Sequence, residues 1–139
     1  MSKVVLLTIN AKYVHSSLAV WYIAGGVALY SRRKHDIKIV ESTIKQDNQE
    51  IVKQIIKHKP DVVGISTYIW NAVKLPSLLN LICEKLPDAI LILGGPEASN
   101  NPEYWLTQGV DYILRGEGEY NFPLLIDNLE DNELQIRYQ

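Results

Sequence analysis

Residues 89–98 read AILILGGPEA, and residues 110–119 read VDYILRGEGE. In both segments a short apolar run leads into a turn that contains two glycines. Glycine has no Cβ atom, so it accepts a positive φ and lets a bound molecule approach the bare backbone. Open α/β sheets bind their ligands at the loops that follow the carboxyl ends of parallel strands. The two segments therefore predict two adjacent strands that end at a ligand-binding edge.

The rest of the chain predicts three more strands and the helices that connect them. Apolar runs rich in β-branched residues predict strands at 3–9, 37–40, 62–66, 89–93 and 110–114. Helical periodicity and capping residues predict helices at 17–32, 48–58, 74–86, 102–107 and 119–128. Because right-handed crossovers join parallel strands, this alternation predicts a flavodoxin-like (Rossmann-like) three-layer α/β sandwich. We expect a five-stranded parallel sheet in the order 2-1-3-4-5.

Composition limits the number of domains and the classes of partner. The chain has 139 residues, enough for one domain, which we place at residues 1–131 with 132–139 as a tail or linker toward a downstream domain. Its 14 basic and 16 acidic residues give a net charge of -2, which favours neither nucleic acid nor an anionic membrane as partner. We find no signal-peptide pattern and no apolar run long enough to span a bilayer. The single cysteine, Cys83, allows no internal disulfide and no multi-cysteine metal cluster, so we expect a cytoplasmic protein.

The predicted carboxyl edge of the sheet carries many hydroxyl groups and aromatic rings. Glycine turns give flat contact to a large planar molecule, while hydroxyl and amide groups bind its periphery. The residues that we expect to contact such a ligand are Asn10, Tyr13, His15, Ser66, Thr67, Tyr68, Gly94, Gly95, Pro96, Glu97, Arg115, Gly116, Glu117 and Gly118. No metal ligand is assigned. The histidine at this edge has three alternative roles: metal ligand, hydrogen-bond partner of the bound molecule, or cap of the first helix.

Several of these positions also have a purely structural interpretation. A Gly-Gly-Pro turn after a strand can serve chain reversal alone. Tyr68 and Trp70 either line a pocket or pack between a helix and the sheet. A bridge from Arg115 to Glu117 or Glu119 would pin the second turn without any chemistry. Acid–base catalysis by those two carboxylates is the less favoured interpretation, because Glu119 also suits the first turn of a helix.

Four residues outside this edge are expected to have no ligand-binding role. Trp21 and Tyr22 lie within the first predicted helix, and we expect both side chains in the core. His35 and His58 are predicted at helix ends beside lysines, where a cation suits the negative pole of the helix. We expect both histidines at the surface.

The loop sequences disfavour two common types of site in α/β folds. Dinucleotide and Walker-type sites need glycines after the first strand, and residues 10–17 contain none. A phospho-receiver site needs acidic residues at the ends of strands one and three, where this chain has Thr8-Ile9-Asn10 and Ser66-Thr67. A flavin-type or tetrapyrrole-type ligand remains.

Together these residues show a resemblance. The chain resembles the amino-terminal cobalamin-binding domain of B12-dependent radical SAM proteins over nearly its whole length. Members of that family show a Gly-Gly-Pro-His-(Ala/Ser) turn after strand four and a later strand that ends Arg-Gly-Glu-Gly-Glu. The corresponding segments here are 94–98, GGPEA, and 115–119, RGEGE. The ending Gly64-Ile65-Ser66 is similar to the family's strand three, where the hydroxyl approaches the corrin or its nucleotide tail.

Three departures from the family pattern bear on the cofactor. Glu97 replaces the usual histidine, and strand one continues into Asn10-Ala11-Lys12 instead of Asn-Pro-Pro. The motif Asp-x-His-x-x-Gly, which supplies the lower axial histidine in other cobalamin proteins, is also absent. Around His15, Tyr13 lies two residues before and Leu18 three residues after. The resemblance therefore implies a base-off corrinoid without a protein nitrogen ligand, or a degenerate domain that has lost the cofactor.

The resemblance also implies a partner. Radical SAM chemistry needs a Cys-x-x-x-Cys-x-x-Cys motif for a 4Fe-4S cluster that binds S-adenosylmethionine, and this chain has only Cys83. We therefore expect the cluster and S-adenosylmethionine in a downstream radical SAM barrel of the same chain, for methyl transfer or a related radical reaction. The domain alone is expected to bind cobalamin and not to catalyse. Two rival hypotheses are a docking domain without cofactor and a flavodoxin-like redox protein.

Overall fold

A computed structural model describes residues 2–11, 18–68, 71–116 and 118–131. Within these residues, strands and helices alternate along the chain. The strands are β1 Ser2–Asn10, β2 His35–Thr43, β3 Val62–Ser66, β4 Ile90–Gly94 and β5 Tyr112–Ile113. The helices are α1 Leu18–Tyr30, α2 Asn48–Ile56, α3 Leu75–Lys85, α4 Pro96–Asn100, α5 Pro102–Leu106 and α6 Gly118–Asp131.

The strands form one parallel sheet in the order β2-β1-β3-β4-β5. Thr8 pairs with Ser66, and Ser66 pairs with Gly94, so β1, β3 and β4 reach the same edge of the sheet together. This register brings the loops that follow the three strands next to one another. The predicted strand order is confirmed.

Each face of the sheet has its own hydrophobic core. Alternate residues of a strand point to opposite faces, and in β1 Val5 and Leu7 pack with α2, α3 and α5, whereas Val4 and Leu6 pack with α1 and α6. The three-layer sandwich is therefore confirmed. In the part of the chain that the structure describes, no helix combines the length and apolar character needed to cross a membrane.

Three elements differ from the sequence prediction. β2 has nine residues, five more than the predicted 37–40. β5 has two residues, and just before it the Asp111 carboxylate accepts the Leu91 backbone N–H at 2.8 Å. The first glycine turn leads directly into the short helix α4, whose first residue is Pro96. Proline fixes φ near the helical value, so it suits this position.

Two predictions about burial are wrong. Trp21 and Tyr22 are 52% and 60% exposed, because α1 turns Val20 and Val27 toward the sheet and is apolar on its outer side as well. His35 begins β2 with a buried side chain. Its Nε2 lies 2.7 Å from Oδ1 of Asp127, a residue of α6. His58, which follows α2, is half-buried.

Candidate ligand-binding site

A cavity of about 350 Å³ opens at the carboxyl edge of the sheet, on the face covered by α1 and α6. β1, β3 and β4 supply its wall on one side, and the two helices supply the other. The cavity is lined by Leu6, Val20, Tyr22, Ile23, Gly64, Ile65, Ser66, Tyr68, Ile92, Gly94, Gly95, Pro96, Leu114, Gly116, Gly118, Glu119 and Phe122. Both glycine turns contribute residues to it.

Two glycines of the sheet line this cavity and have different surroundings. A Cβ atom on Gly94 would have no atom within 4 Å, so its backbone faces open space. A Cβ atom on Gly64 would lie 3.0 Å from Leu6 Cδ2 and 3.2 Å from Phe122 Cε2. The missing side chain at Gly64 therefore lets the Phe122 ring rest on the sheet, and the missing side chain at Gly94 leaves the backbone open to a bound molecule.

Gly95 has a different role from its neighbour. Its φ is +94°, and a Cβ atom there would lie 2.4 Å from the carbonyl oxygen of Thr67. Thr67 donates to the Gly94 carbonyl from its backbone N–H at 2.8 Å and from its hydroxyl at 2.6 Å. The same hydroxyl accepts the Ala98 N–H at 2.9 Å. Thr67 is thus fully buried and fastens α4 to the end of β3.

The loop after β3 is held by a buried asparagine. Asn71 donates from Nδ2 to the Ser66 carbonyl at 3.3 Å and accepts the Tyr68 N–H on Oδ1 at 3.0 Å. Its own backbone N–H donates to the Tyr68 carbonyl at 3.1 Å. Among the described residues, none bonds to the Ser66 hydroxyl. That hydroxyl is therefore available at the cavity wall.

The second glycine turn enters α6. Gly116 has a φ of +82°, a conformation that favours glycine. Asn121 donates from Nδ2 to the Arg115 carbonyl at 2.9 Å, which closes the turn. A Cβ atom on Gly118, the first residue of α6, would lie 3.1 Å from Ile23. α1 and α6 therefore meet closely beside the cavity.

The structure brings together half of the predicted site. Seven predicted residues line the cavity: Ser66, Tyr68, Gly94, Gly95, Pro96, Gly116 and Gly118. Four lie outside its lining: Asn10, Thr67, Glu97 and Arg115. Asn10 accepts the Thr8 hydroxyl at 3.3 Å, Glu97 accepts Asn101 Nδ2 at 3.1 Å, and Arg115 is exposed. Tyr13, His15 and Glu117, together with Trp70, lie outside the described residues.

Sequence reasoning missed the helical wall of the cavity. Tyr22 and Ile23 of α1 and Phe122 of α6 line it, and so does Glu119. The residues of α1 are apolar on all sides, so their spacing does not show which ones face a ligand. Gly64, in the middle of a buried strand, was the available indication, since glycine in a strand interior often marks a close approach.

The described lining is almost free of charge. Glu119 is the one acidic side chain in it, and it contains no lysine, arginine or histidine. None of the described buried polar atoms without a partner belongs to the lining. Within the described residues, no three His, Cys, Asp or Glu side chains are grouped to hold a metal ion. The arrangement suits binding by shape and apolar contact.

Groups with shifted pKa values lie away from the cavity. Burial would raise the pKa of Asp127, but hydrogen bonds from His35, Ser31 and the Arg32 amide hold it below its ordinary 3.8. Burial and then the Asp111 carboxylate raise the pKa of the Cys83 thiol above 9.0. A raised pKa keeps the thiol protonated and unreactive at neutral pH.

A parallel sheet in this strand order with a glycine-lined apolar cavity at its carboxyl edge defines a Rossmann-like domain. The sequence matches the B12 binding domain family over residues 4–126. The chain belongs to this family.

Known proteins similar to this chain include cobalamin-dependent enzymes. An uncharacterized methyltransferase of Pyrococcus horikoshii is 31% identical over 104 residues, which are 70% of this chain and 22% of that protein. The cobalamin-dependent radical SAM methyltransferase TokK of Streptomyces tokunonensis is 32% identical over 87 residues, 60% of this chain and 12% of TokK. The chain therefore spans less than a quarter of the length of either relative.

A solved structure shares the fold. It is that of the cobalamin-dependent S-adenosylmethionine radical enzyme OxsB with aqua-cobalamin and S-adenosylmethionine bound. The TM-score is 0.70 at 19% identity, over 94% of this chain and 19% of OxsB. At this identity the likeness concerns the architecture alone.

Proposed function

We propose that this domain binds cobalamin in a base-off form at the carboxyl edge of its sheet. The observation that carries the proposal is the open backbone of Gly94 at a cavity of about 350 Å³ that has an almost wholly apolar lining. Family membership and the cobalamin named for TokK and OxsB support it.

The cavity suits one part of a corrinoid. It is too small for the whole cofactor but has the size and apolar walls for a compact aromatic base. The nucleotide tail would enter the cavity beside Phe122, and the macrocycle would lie over the glycine turns. Ser66 and Tyr68 would bind polar groups at the periphery. Cobalamin, when bound, supplies a cobalt centre that can carry a methyl group.

The residues of this chain would position and shield the cofactor. The described lining contains no histidine, so it offers cobalt no imidazole ligand. We propose that the base-off state would follow from burial of the lower base in the cavity, which would keep that base away from cobalt. The backbone of Gly94 and Gly95 would lie flat against one face of the macrocycle and would exclude water from that face.

The activity of the whole protein is a further proposal. Because the chain spans 22% of the Pyrococcus relative and 12% of TokK, the catalytic part of such a protein would lie elsewhere. We propose that this domain serves a downstream radical SAM barrel that holds a 4Fe-4S cluster and S-adenosylmethionine, for methyl transfer. A cytoplasmic location would agree with the free Cys83 thiol.

The cavity favours a corrinoid over flavin mononucleotide. A flavin nucleotide carries a phosphate dianion, and a binding site usually meets it with cations or a phosphate-binding loop. The described lining has no cationic side chain and contains Glu119. The flavodoxin-like hypothesis is therefore less favoured on electrostatic grounds.

A titration of the 139-residue chain tests the proposal. Hydroxocobalamin and methylcobalamin are added while the corrin absorbance is followed, and co-elution of cobalt with protein is measured by gel filtration. We expect micromolar or tighter binding with a base-off spectrum. Absence of binding well above micromolar cofactor would favour a docking domain, and binding of flavin mononucleotide in its place would favour a redox protein.

A further inference from the structure

The cavity lining divides by depth into an apolar floor and a polar mouth. The buried side chains that form the floor are Leu6, Val20, Ile92 and Phe122. Ser66 is the polar exception among the buried residues of the described lining, and it ends β3 at the edge of the sheet. The other polar side chains of the lining, Tyr22, Tyr68 and Glu119, are partly or largely exposed, which places them at the mouth.

The floor offers no hydrogen-bond partner to a bound molecule. In the sheet, Leu6 pairs with Gly64 and Gly64 pairs with Ile92, so these backbones are engaged with one another. Among the described residues of the lining, no fully buried side-chain nitrogen or oxygen atom lacks a hydrogen-bond partner. A ring nitrogen or amino group that reached this depth would lose its water and gain nothing in return, which is unfavourable.

We infer that the floor selects a corrinoid whose lower base is an apolar benzimidazole over one whose lower base is a purine. This inference rests on the proposed function. A dimethylbenzimidazole presents methyl groups and ring carbons, which match Ile92 and Phe122. Adenine presents an amino group and additional ring nitrogens, for which the floor has no partners.

The floor also has little space to adapt. A single additional carbon at Gly64 would already lie 3.0 Å from Leu6 and 3.2 Å from Phe122. The side chains of Leu6 and Phe122 therefore both close on the backbone of this glycine. A water molecule that accompanied a polar base would need two or more polar partners, and the floor supplies none.

Three corrinoids distinguish this inference from the proposed function. The chain is titrated with hydroxocobalamin, with the corresponding cobamide that carries adenine, and with aquacobinamide, which has no nucleotide tail. Binding is measured by the change in corrin absorbance. We expect cobalamin to bind about 10- to 100-fold more tightly than the adenine cobamide, the range that a mismatched apolar pocket gives.

Each other outcome has a defined meaning. If none of the three corrinoids binds, the proposed function fails, and the inference fails with it. If all three bind equally, cobalamin binding stands but the cavity does not receive the tail. If cobalamin and the adenine cobamide bind with equal affinity, and both bind more tightly than aquacobinamide, the tail is bound but the floor does not select its base. The last two results overturn the inference alone.

A variant on α1 tests whether the preference for cobalamin arises in the cavity. Ile23 lines the cavity and is half-buried, so Ile23→Gln adds an amide to the wall at a position that tolerates a good helix former. We expect the preference for cobalamin to fall at least threefold. Leu29→Gln is the matched control, because Leu29 lies on the same helix and is 77% exposed. An unchanged preference in Ile23→Gln would overturn the assignment to the cavity, and Leu114→Gln replaces it if the first variant fails to fold.

Discussion

The carbonyl oxygen of Glu119 lies 2.2 Å from the point that a Cβ atom on Gly26 would occupy. α1 and α6 therefore touch backbone to backbone beside the cavity. Gly25 lies one position earlier in the same helix, and a Cβ atom there would meet nothing within 4 Å. Gly26 therefore has no space for a side chain, whereas Gly25 does.

Alanine at these two positions is expected to change stability in opposite directions. Gly26→Ala would force the helices apart and lower the free energy of unfolding by about 1–3 kcal/mol or more. Gly25→Ala would raise it by about 0.5–1 kcal/mol, because alanine favours the helix. Urea denaturation of both variants measures the difference. Equal effects would show that the helices do not meet at Gly26.

The pair Gly94 and Gly95 separates binding from folding. Gly94 is the last residue of β4 and faces open space, so Gly94→Ala should fold normally and fill part of the cavity. We expect at least tenfold weaker cobalamin binding, about 1.4 kcal/mol. Gly95→Ala should lower the free energy of unfolding by about 2 kcal/mol or more, from positive φ and overlap with Thr67. Cobalamin titration and thermal melting of both variants test this. Normal cobalamin affinity in Gly94→Ala would contradict the placement of the cofactor.

The Thr67 hydroxyl is expected to stabilise the edge of the sheet. Thr67→Val keeps the shape but leaves the Gly94 carbonyl with one bond fewer and the Ala98 N–H without its acceptor. We expect a loss of about 1–2 kcal/mol in the free energy of unfolding. The control is Thr107→Val, whose exposed hydroxyl bonds only within its own turn. A loss no larger than that of the control would mean that the hydroxyl does not fasten α4.

The lowered pKa of Asp127 predicts that the protein becomes less stable in acid. Because its pKa in the folded state lies below its ordinary 3.8, its contribution is full above that value. The contribution disappears as the pH falls through the lower, folded-state pKa. Asp127→Asn should destabilise the protein at pH 7 and weaken the dependence of stability on pH below about 4.

Urea denaturation at pH 7 and pH 3 measures this effect. Glu50→Gln is the control, since its exposed pair with Lys53 contributes little. If Asp127→Asn keeps the full acid sensitivity of the parent chain, other carboxyl groups are responsible for it.

The sequence predicts best where a pattern is local. β3 lies at the predicted 62–66, because a continuous apolar run bounded by a proline connector and a polar loop has one clear interpretation. Both glycine turns line the cavity, and their contact with a ligand remains a prediction. β2 and β5 differ most from their predicted lengths, and beside β5 the Asp111 carboxylate accepts a backbone N–H of β4.

The rest depends on contacts between distant parts of the chain. His35 is buried because Asp127, 92 residues later, lies beside it, and no local pattern contains that pairing. Phe122 can likewise form part of the cavity wall because residue 64, far away in the sequence, is a glycine. The outward position of Trp21 follows from an apolar helix without a polar face, for which periodicity predicts no orientation.

The buried contact between His35 and Asp127 has a consequence for how such a domain can diversify. The contact joins the start of β2 to the second half of α6, at the opposite end of the strands from Gly94. Sites without shared partners affect stability almost independently. Substitutions around the mouth of the cavity can therefore accumulate without disrupting the contact at the opposite end of the sheet. The domain can acquire new ligand preferences while this contact continues to stabilise the fold.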